Sequence, residues 1–460
     1  MPRDRPHILI IMPDQQRADC LSCAGHRLLR TPNMDRLAHE GVRFSHAFTV
    51  SPLCMPARAS FVSGLYPHNH GIWHNAGSLP PDDETFFHHL QRLGYYTAYV
   101  GKSHFYSHGG RHLREYEDYM RARGLDYVHE TTGPWATVRT DSYMTDHWAE
   151  LGLLEAFRSD YEQRRAAGPC AVWPSPLPAD EFLDSYIGRQ AVEWTDGHDG
   201  DQPVCLFVGF GGPHEPWDAP GEYATMYDLA GIPAAIPASD PPPWATDKAA
   251  RFLQARVAGM SEADVRRLRA NYYGKIGLLD HWVGEILAAF ERRGWLGDAL
   301  VVLWSDHGEM AGDHGRLHKS VFYESAVRVP LILRWPGRIL AGRTSEALVE
   351  NIDVFPTILE AVGAEPSKRC LGRSLWPVLL GEEQEHRQAV FSEVDSITMV
   401  RTRSHKYAMD AEGDGFMLYD LTVDPEERTN LVGKADAADT ETDLRDCVLR
   451  WLAGTQVRQR

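Results

Sequence analysis

The chain has 460 residues, 43% apolar and 24% charged, with a formal net charge of −17. That is the composition of a globular chain long enough for one large domain with an added subdomain, or for two or three ordinary domains. A nucleic-acid groove would have to work against the overall negative field, and no basic run offsets it; no nucleic-acid partner is expected.

In chain order, "HILIIMPD" (7–14) is the first strand. It is too short for a signal h-region or a membrane span, and no small-residue cleavage site follows. No other stretch is apolar for long enough to span a bilayer. The expectation is a cytoplasmic protein with no membrane partner. Seven cysteines at irregular positions argue against a disulfide framework, and Cys20-x-x-Cys23 has no second pair to complete a zinc site, so those two read as ordinary thiols.

The stretch "SPLCMPARASFVSG" (51–64) puts Cys54 just ahead of a helix. Pro56 fits the first helical turn, where a missing N–H is harmless, and the helix N-terminus favours negative charge at residue 54. Three more short apolar runs read as buried parallel strands: "YTAYVGK" (96–102), "PVCLFVGFGG" (203–212) and "ALVVLWSD" (299–306). Between the last two lies an amphipathic helix, 270–294. Its Tyr273, Ile276, Leu279, Val283, Ile286, Leu287 and Phe290 recur at steps of three and four, and Gly294 is its stop.

Residues 106–200 are rich in aromatics, charges and turns without a strong period. They and 213–250, which contains the Pro-rich "IPAAIPASDPPPWA" (232–245), read as insertions or lids walling a site. From about 341 onward short strands alternate with turns. The fold expected is α/β: a large, mixed, mainly parallel sheet sandwiched by helices (1–340), then a smaller C-terminal α+β subdomain with an antiparallel sheet (341–460).

Each strand runs into polar or ionisable residues: Asp14 and Gln15 after the first, Lys102 and His104 after the second, His214 after the third, and Asp306, His307 and Lys319 after the fourth. Singly these are an N-cap, a structural histidine, a solvated lysine. Jointly they fall where open α/β sheets bind ligands, at the carboxyl ends of the strands. Asp14, Gln15, Asp306 and His307 suit a hard divalent cation, the histidine admitting manganese as well as calcium. Arg58, Lys102, His104, His214 and Lys319 suit an oxyanion on whose oxygens charge develops. Cys54 has no cysteine-hydrolase dyad, and a bare thiolate is a poor nucleophile toward a metal-bound sulfate or phosphate.

"CMPARASFVSG" resembles the signature of the type I sulfatases of the alkaline phosphatase superfamily: Cys-x-Pro-x-Arg, then a hydrophobic residue and Gly. The resemblance extends through "ILIIMPDQQ", "TPNMDRLAHEGVRFSHAF", "GYYTAYVGKSH", "GPHEPW", "DHGEMAGDHG", "YESAVRVPLI" and "LYDLTVDPEERTNL", most of the chain. It implies oxidation of Cys54 to formylglycine by a generating enzyme that reads residues 54–58. The hydrated aldehyde would then attack a small-molecule sulfate ester through a sulfated enzyme intermediate. One divalent cation, Ca2+ before Mn2+, would be held by Asp14, Gln15, residue 54, Asp306 and His307. Arg58 would hold the diol, and Lys102, Lys319 and Asn75 the nonbridging oxygens. His214 would protonate the leaving oxygen with Lys319 as competitor, and His104 would accept the proton that expels sulfate.

Asp14-Gln15, Asp306-His307 and Asn75 instead resemble the phosphonate monoester hydrolase and phosphodiesterase branch, whereas Lys102-x-His104 is the sulfatase pairing. Trp73, Trp135, Trp148 and Trp217 are candidates to line an aryl or sugar pocket, with core or surface places as the alternative.

Overall fold

The structure, a computed structural model, describes residues 5–238 and 260–456. The part of the Pro-rich stretch from 239 to 245 lies outside the described residues.

Eight strands form the main sheet: β1 (Ile8–Asp14), β2 (Val42–Phe44), β3 (Tyr96–Lys102), β4 (Tyr127–Thr131), β5 (Val204–Pro213), β6 (Leu300–Trp304), β7 (Leu331–Arg334) and β8 (Arg343–Ser345). Their order is β4-β3-β5-β1-β6-β7-β2-β8. Only β7 runs against the rest, so the sheet is mixed and mainly parallel. The four strands expected from the sequence, β1, β3, β5 and β6, are neighbours at its centre.

Helices cover both faces because the central strands are apolar on both. Ile8, Ile10 and Met12 of β1 face one side. There they meet α2 (Cys54–Ser63), α3 (Phe86–Arg92) and α7 (Val354–Ala361). Leu9 and Ile11 face the other side, packed against α1 (Pro32–His39), α4 (Leu154–Ala167), α5 (Leu183–Gly197) and α6 (Glu262–Arg292). Alternation of period two, apolar in both phases, is the signature of a strand buried between two helical layers. All seven residues of the expected α6 stripe are buried, and Gly294 follows its C-cap with φ of 70°. The helix also begins earlier than its apolar period, at a capping box of Ser261 and Asp264.

The smaller sheet is antiparallel: β9 (Ala389–Val394), β10 (Ile397–Thr402), β11 (His405–Met409) and β12 (Gly415–Asp420), in sequence order. Its Val400, Tyr407 and Leu418 pack on α8 (Ala438–Gly454) through Val448 and Trp451. Its other face, through Val390, Met399 and Met417, meets Phe48, Phe322 and Tyr323 of the large body.

The large body extends beyond 341, since β8 pairs with β2 and α7 packs into the main core. Residues 106–200 are likewise more than a wall. They supply edge strand β4 and helices α4 and α5. The polar side chains of β4 (His129, Glu130, Thr131) hide its strand character from an apolar-run reading. No helix among the described residues is long and apolar enough to cross a membrane.

Candidate active site

Helix α2 starts at Cys54, after Leu53 in extended conformation, and all ten of its residues are buried. It ends at Gly64, whose φ of 69° and 2.7 Å approach of a hypothetical Cβ to Cys370 Sγ leave no room for a side chain. The helix thereby points its N-terminus at the carboxyl ends of β1, β3, β5 and β6. Asn75 accepts the free N–H of Met55 (3.0 Å), one of the unpaired donors of the first turn.

Around Cys54 four ligand atoms lie within 4.8 Å of one another, from Asp14, Cys54, Asp306 and His307. The Cys54 sulfur is 3.0 Å from His307 Nε2 and 4.0 Å from Asp14 Oδ1. His307 Nδ1 is 3.0 Å from the Gly308 carbonyl. A proton on Nδ1 satisfies that carbonyl and turns the Nε2 lone pair toward the cluster. Two carboxylates and an imidazole nitrogen with its lone pair inward are the donor set of a divalent-cation site, so these residues fit the cation the sequence implies.

Gln15 enters differently. Its backbone N–H donates to Asp306 Oδ1 (3.0 Å), while its side-chain oxygen accepts from Lys319. Arg58 is wholly buried behind the cluster, donating to Asp14 (2.9 Å), Asp306 (2.8 Å) and the Lys102 carbonyl (2.6 Å). It orients both carboxylates and offsets their charge. Lys102 pairs with Asp14 at the end of β3. Gly133 makes that possible, because a Cβ there would sit 2.8 Å from Lys102 Nζ.

Cys54, Asn75, Lys102, His104, His108, Gly133, Trp135, His214, Glu215 and Lys319 line one cavity of about 350 Å³. Within it His214 Nε2 is 2.6 Å from Lys319 Nζ, and His214 Nδ1 is 2.7 Å from the Glu215 carbonyl. His104 sits at φ of 55°, and its buried Nδ1 has no hydrogen-bond partner among the described residues.

Electrostatics follow the crowding of cations. Burial opposes ionisation of the Cys54 thiol, but Lys319 and Lys102, then His307 and a hydrogen bond with His104, hold its pKa well below the ordinary value. Burial and Cys54 push Asp14 up, yet Lys102, His214 and Arg58 bring it down to about 2. Burial disfavours the charged His307, but Asp306 and Cys54 raise it to about 9. Burial lowers His104 below the usual histidine value. The site is built to hold negative charge at residue 54.

The tryptophans divide. Trp135 lines the cavity beside Cys54 and an adjoining one of about 410 Å³, where Trp217, Pro169, Pro216, Arg165 and His318 form other walls. Trp148 is a core residue with its indole N–H on the Glu181 carbonyl. Trp73 is half-buried and lines neither cavity.

Three groups at the site escaped the sequence reading. Glu215 and Glu309 both accept from the Gln15 amide. Lys275 of α6 donates to the carbonyls of His214 (2.6 Å) and Pro216 (3.1 Å) and to Asp218 (2.8 Å). Each carried a signal: the two glutamates stand inside "GPHEPW" and "DHGEM", and Lys275 interrupts the apolar stripe of α6.

A buried cluster of candidate metal ligands at the carboxyl edge of a helix-sandwiched, mainly parallel sheet, with a second small sheet behind it, is consistent with the alkaline phosphatase superfamily. The sulfatase family profile matches residues 6–364, and a profile described as N-sulphoglucosamine sulphohydrolase, C-terminal, matches 312–452. The chain belongs to the sulfatase family, a class of sulfuric ester hydrolases. It is 27% identical over 467 residues to an arylsulfatase of Clostridium perfringens, covering 98% of this chain and 95% of that one. It is 31% identical over 468 residues to a choline-sulfatase of Rhizobium meliloti, covering 97% and 86%. The crystal structure of the phosphonate monoester hydrolase of Agrobacterium radiobacter superposes with a TM-score of 0.83 at 27% identity, covering 98% and 96%.

Proposed function

We propose that this protein hydrolyses sulfate monoesters to an alcohol or phenol and inorganic sulfate, using residue 54 as formylglycine. The carrying observation is the surroundings of Cys54. The residue stands at a helix N-terminus, 3.0 Å from His307 and beside Asp14. Lys102, His104, His214 and Lys319 ring the same cavity. A divalent cation, Ca2+ before Mn2+, would be held by Asp14, Asp306, His307 and residue 54, with the Gln15 oxygen a further donor. It would supply Lewis-acid stabilisation of charge on the sulfuryl oxygens. Formylglycine would supply, as its hydrate, a nucleophile that regenerates itself by expelling sulfate.

The chain's own residues do the rest. Arg58 holds Asp14 and Asp306 in place. Lys102, Lys319 and Asn75 bind the nonbridging oxygens as charge builds on them. His214 and Lys319, joined Nε2 to Nζ, carry the proton for the leaving oxygen. His104, with an open Nδ1 and a lowered pKa, is neutral and ready to accept the proton whose loss expels sulfate. The adjoining cavity walled by Trp135, Trp217 and Pro216 gives room for a leaving group bulkier than a simple alkyl chain.

A second reading has specific support. Asp14-Gln15, Asp306-His307 and Asn75, with the likeness to the Agrobacterium enzyme, fit a phosphonate monoester hydrolase or phosphodiesterase using the same nucleophile. Lys102 and His104 argue against it. A diester places a second substituent on one nonbridging oxygen, which would crowd Lys102 and His104 where they stand beside Asp14 and residue 54. The test is a side-by-side profile on aryl sulfates, alkyl and sugar sulfates, phosphate diesters and phosphonate monoesters. Sulfate is expected to lead by at least ~10-fold in kcat/KM, about 1.4 kcal/mol of discrimination. Phosphorus esters outperforming every sulfate would replace the first reading with the second. Mass spectrometry of the peptide containing residue 54 decides the nucleophile: active protein carrying only an unmodified thiol would exclude formylglycine.

A further inference from the structure

Gln15 stands where carboxylates surround it. Its Nε2 donates to Glu215 Oε2 (2.7 Å) and to Glu309 Oε2, and its Oε1 accepts from Lys319 Nζ. Glu309 is fully buried, and its other oxygen accepts the backbone N–H groups of Ala311 (2.9 Å) and His318 (2.6 Å). It is therefore a fixed acceptor that cannot swing away. Glu215 faces His214 and His318, each at 3.2 Å.

An amide has one donating end and one accepting end, and its two orientations occupy nearly the same space. In the observed orientation all three contacts are attractive. Turned over, the oxygen would meet two carboxylates and the NH2 group would meet an ammonium, so all three would repel. A carboxylate at position 15 fares no better: one oxygen would keep Lys319, but the other would face Glu215 and Glu309 with no donor between them.

We propose that Glu215 and Glu309 are positioning residues. They form a two-carboxylate clamp that locks the Gln15 amide with its oxygen toward Lys319 and the catalytic cavity. The same clamp is the reason this chain carries an amide, not an acid, after Asp14. The clamp stands on its own geometry; its link to cation binding rests on the reading of Gln15 as a donor.

The test uses the full-length protein in two arms. In the first, chelator-treated samples are compared by thermal unfolding. Gln15→Glu is expected to lower the midpoint, since three acids then face one another. Glu309→Gln is expected to lower it too, since two NH2 groups then meet. The double variant Gln15→Glu/Glu309→Gln reverses the polarity of that bond and is expected to recover at least half of the larger loss. A merely space-filling role predicts additive losses. Additive losses, or a Gln15→Glu protein as stable as the parent, overturn the clamp.

In the second arm, apo protein is titrated calorimetrically with Mn2+ alone. Glu215→Gln/Glu309→Gln frees the amide to turn and should weaken Mn2+ binding ~10-fold, as loss of outer partners does at metal sites. Glu215→Gln alone, at a partly exposed position, should weaken it less and serves if the double variant does not fold. Recovery in the first arm with parental Mn2+ affinity in the second overturns the donor role of Gln15 while the clamp stands.

Discussion

Replacing Lys275 by methionine should loosen the loop that carries His214. The ammonium of Lys275 is wholly buried and bonds three oxygens on residues 214–218 from one side. Methionine keeps the length and volume of the side chain and removes the charge. Among the described residues, Asp218 would then keep the Tyr161 hydroxyl (2.6 Å) as its side-chain hydrogen-bond partner. Breaking a buried ion pair from one side costs about 3–5 kcal/mol, because the remaining charge stays uncompensated. Against a total stability of about 5–15 kcal/mol that is a large fraction. Urea unfolding of the parent, Lys275→Met, Asp218→Asn and the double variant measures it. Asp218→Asn in the Lys275→Met background removes the stranded charge and should recover roughly half of the loss, the remainder being the two undonated carbonyls. Turnover should fall in both Lys275→Met proteins, because His214 loses the contact that fixes its own carbonyl. A Lys275→Met protein within ~1 kcal/mol of the parent would show that the Lys275–Asp218 pair contributes little and refute the argument.

Three other outcomes follow from the site. Asp306→Ala removes a cluster carboxylate and one anchor of Arg58, so bound divalent cation, read by elemental analysis, and sulfate turnover should be lost together. Gly133→Ala places a methyl 2.8 Å from Lys102 Nζ; displacing that ammonium should lower kcat/KM by ~10-fold or more, about 1.4 kcal/mol, with Gly133→Ser no better. Burial raises Glu130 to about 7, although Ser103 and Tyr106 hydrogen-bond it. Its folded pKa thus exceeds the unfolded value near 4.3, so the folded state binds more protons between the two and stability falls as pH rises through that window. Glu130→Gln should flatten the decline between pH 5 and 8 in thermal unfolding, and an unchanged slope would show that Glu130 titrates normally.

Much of this protein was legible locally. The strands β1, β3, β5 and β6 declare themselves as short apolar runs, because a strand covered on both faces needs no polar phase. Helix α6 declares its face by steps of three and four. Cys54 is marked by Pro56 and Arg58 within one helical turn. The residues ending the four strands converge because parallel strands in register deliver their carboxyl ends to one edge.

Tertiary structure alone decided the rest. Nothing near Trp148 in the sequence says that it fills the core while Trp135 lines two cavities; that depends on which element covers which face. Arg58 could be read as a ligand for substrate until its burial between Asp14 and Asp306 was seen. The pairing of Gln15 with Glu215 and Glu309 joins residues 200 and 294 positions apart, and the tie of Lys275 to His214 spans 61. Periodicity and capping are set by neighbours a few residues away, so the sequence shows them. Burial, charge pairing and amide orientation are set by whatever the folded chain brings alongside, and a single strand of letters carries no record of that meeting.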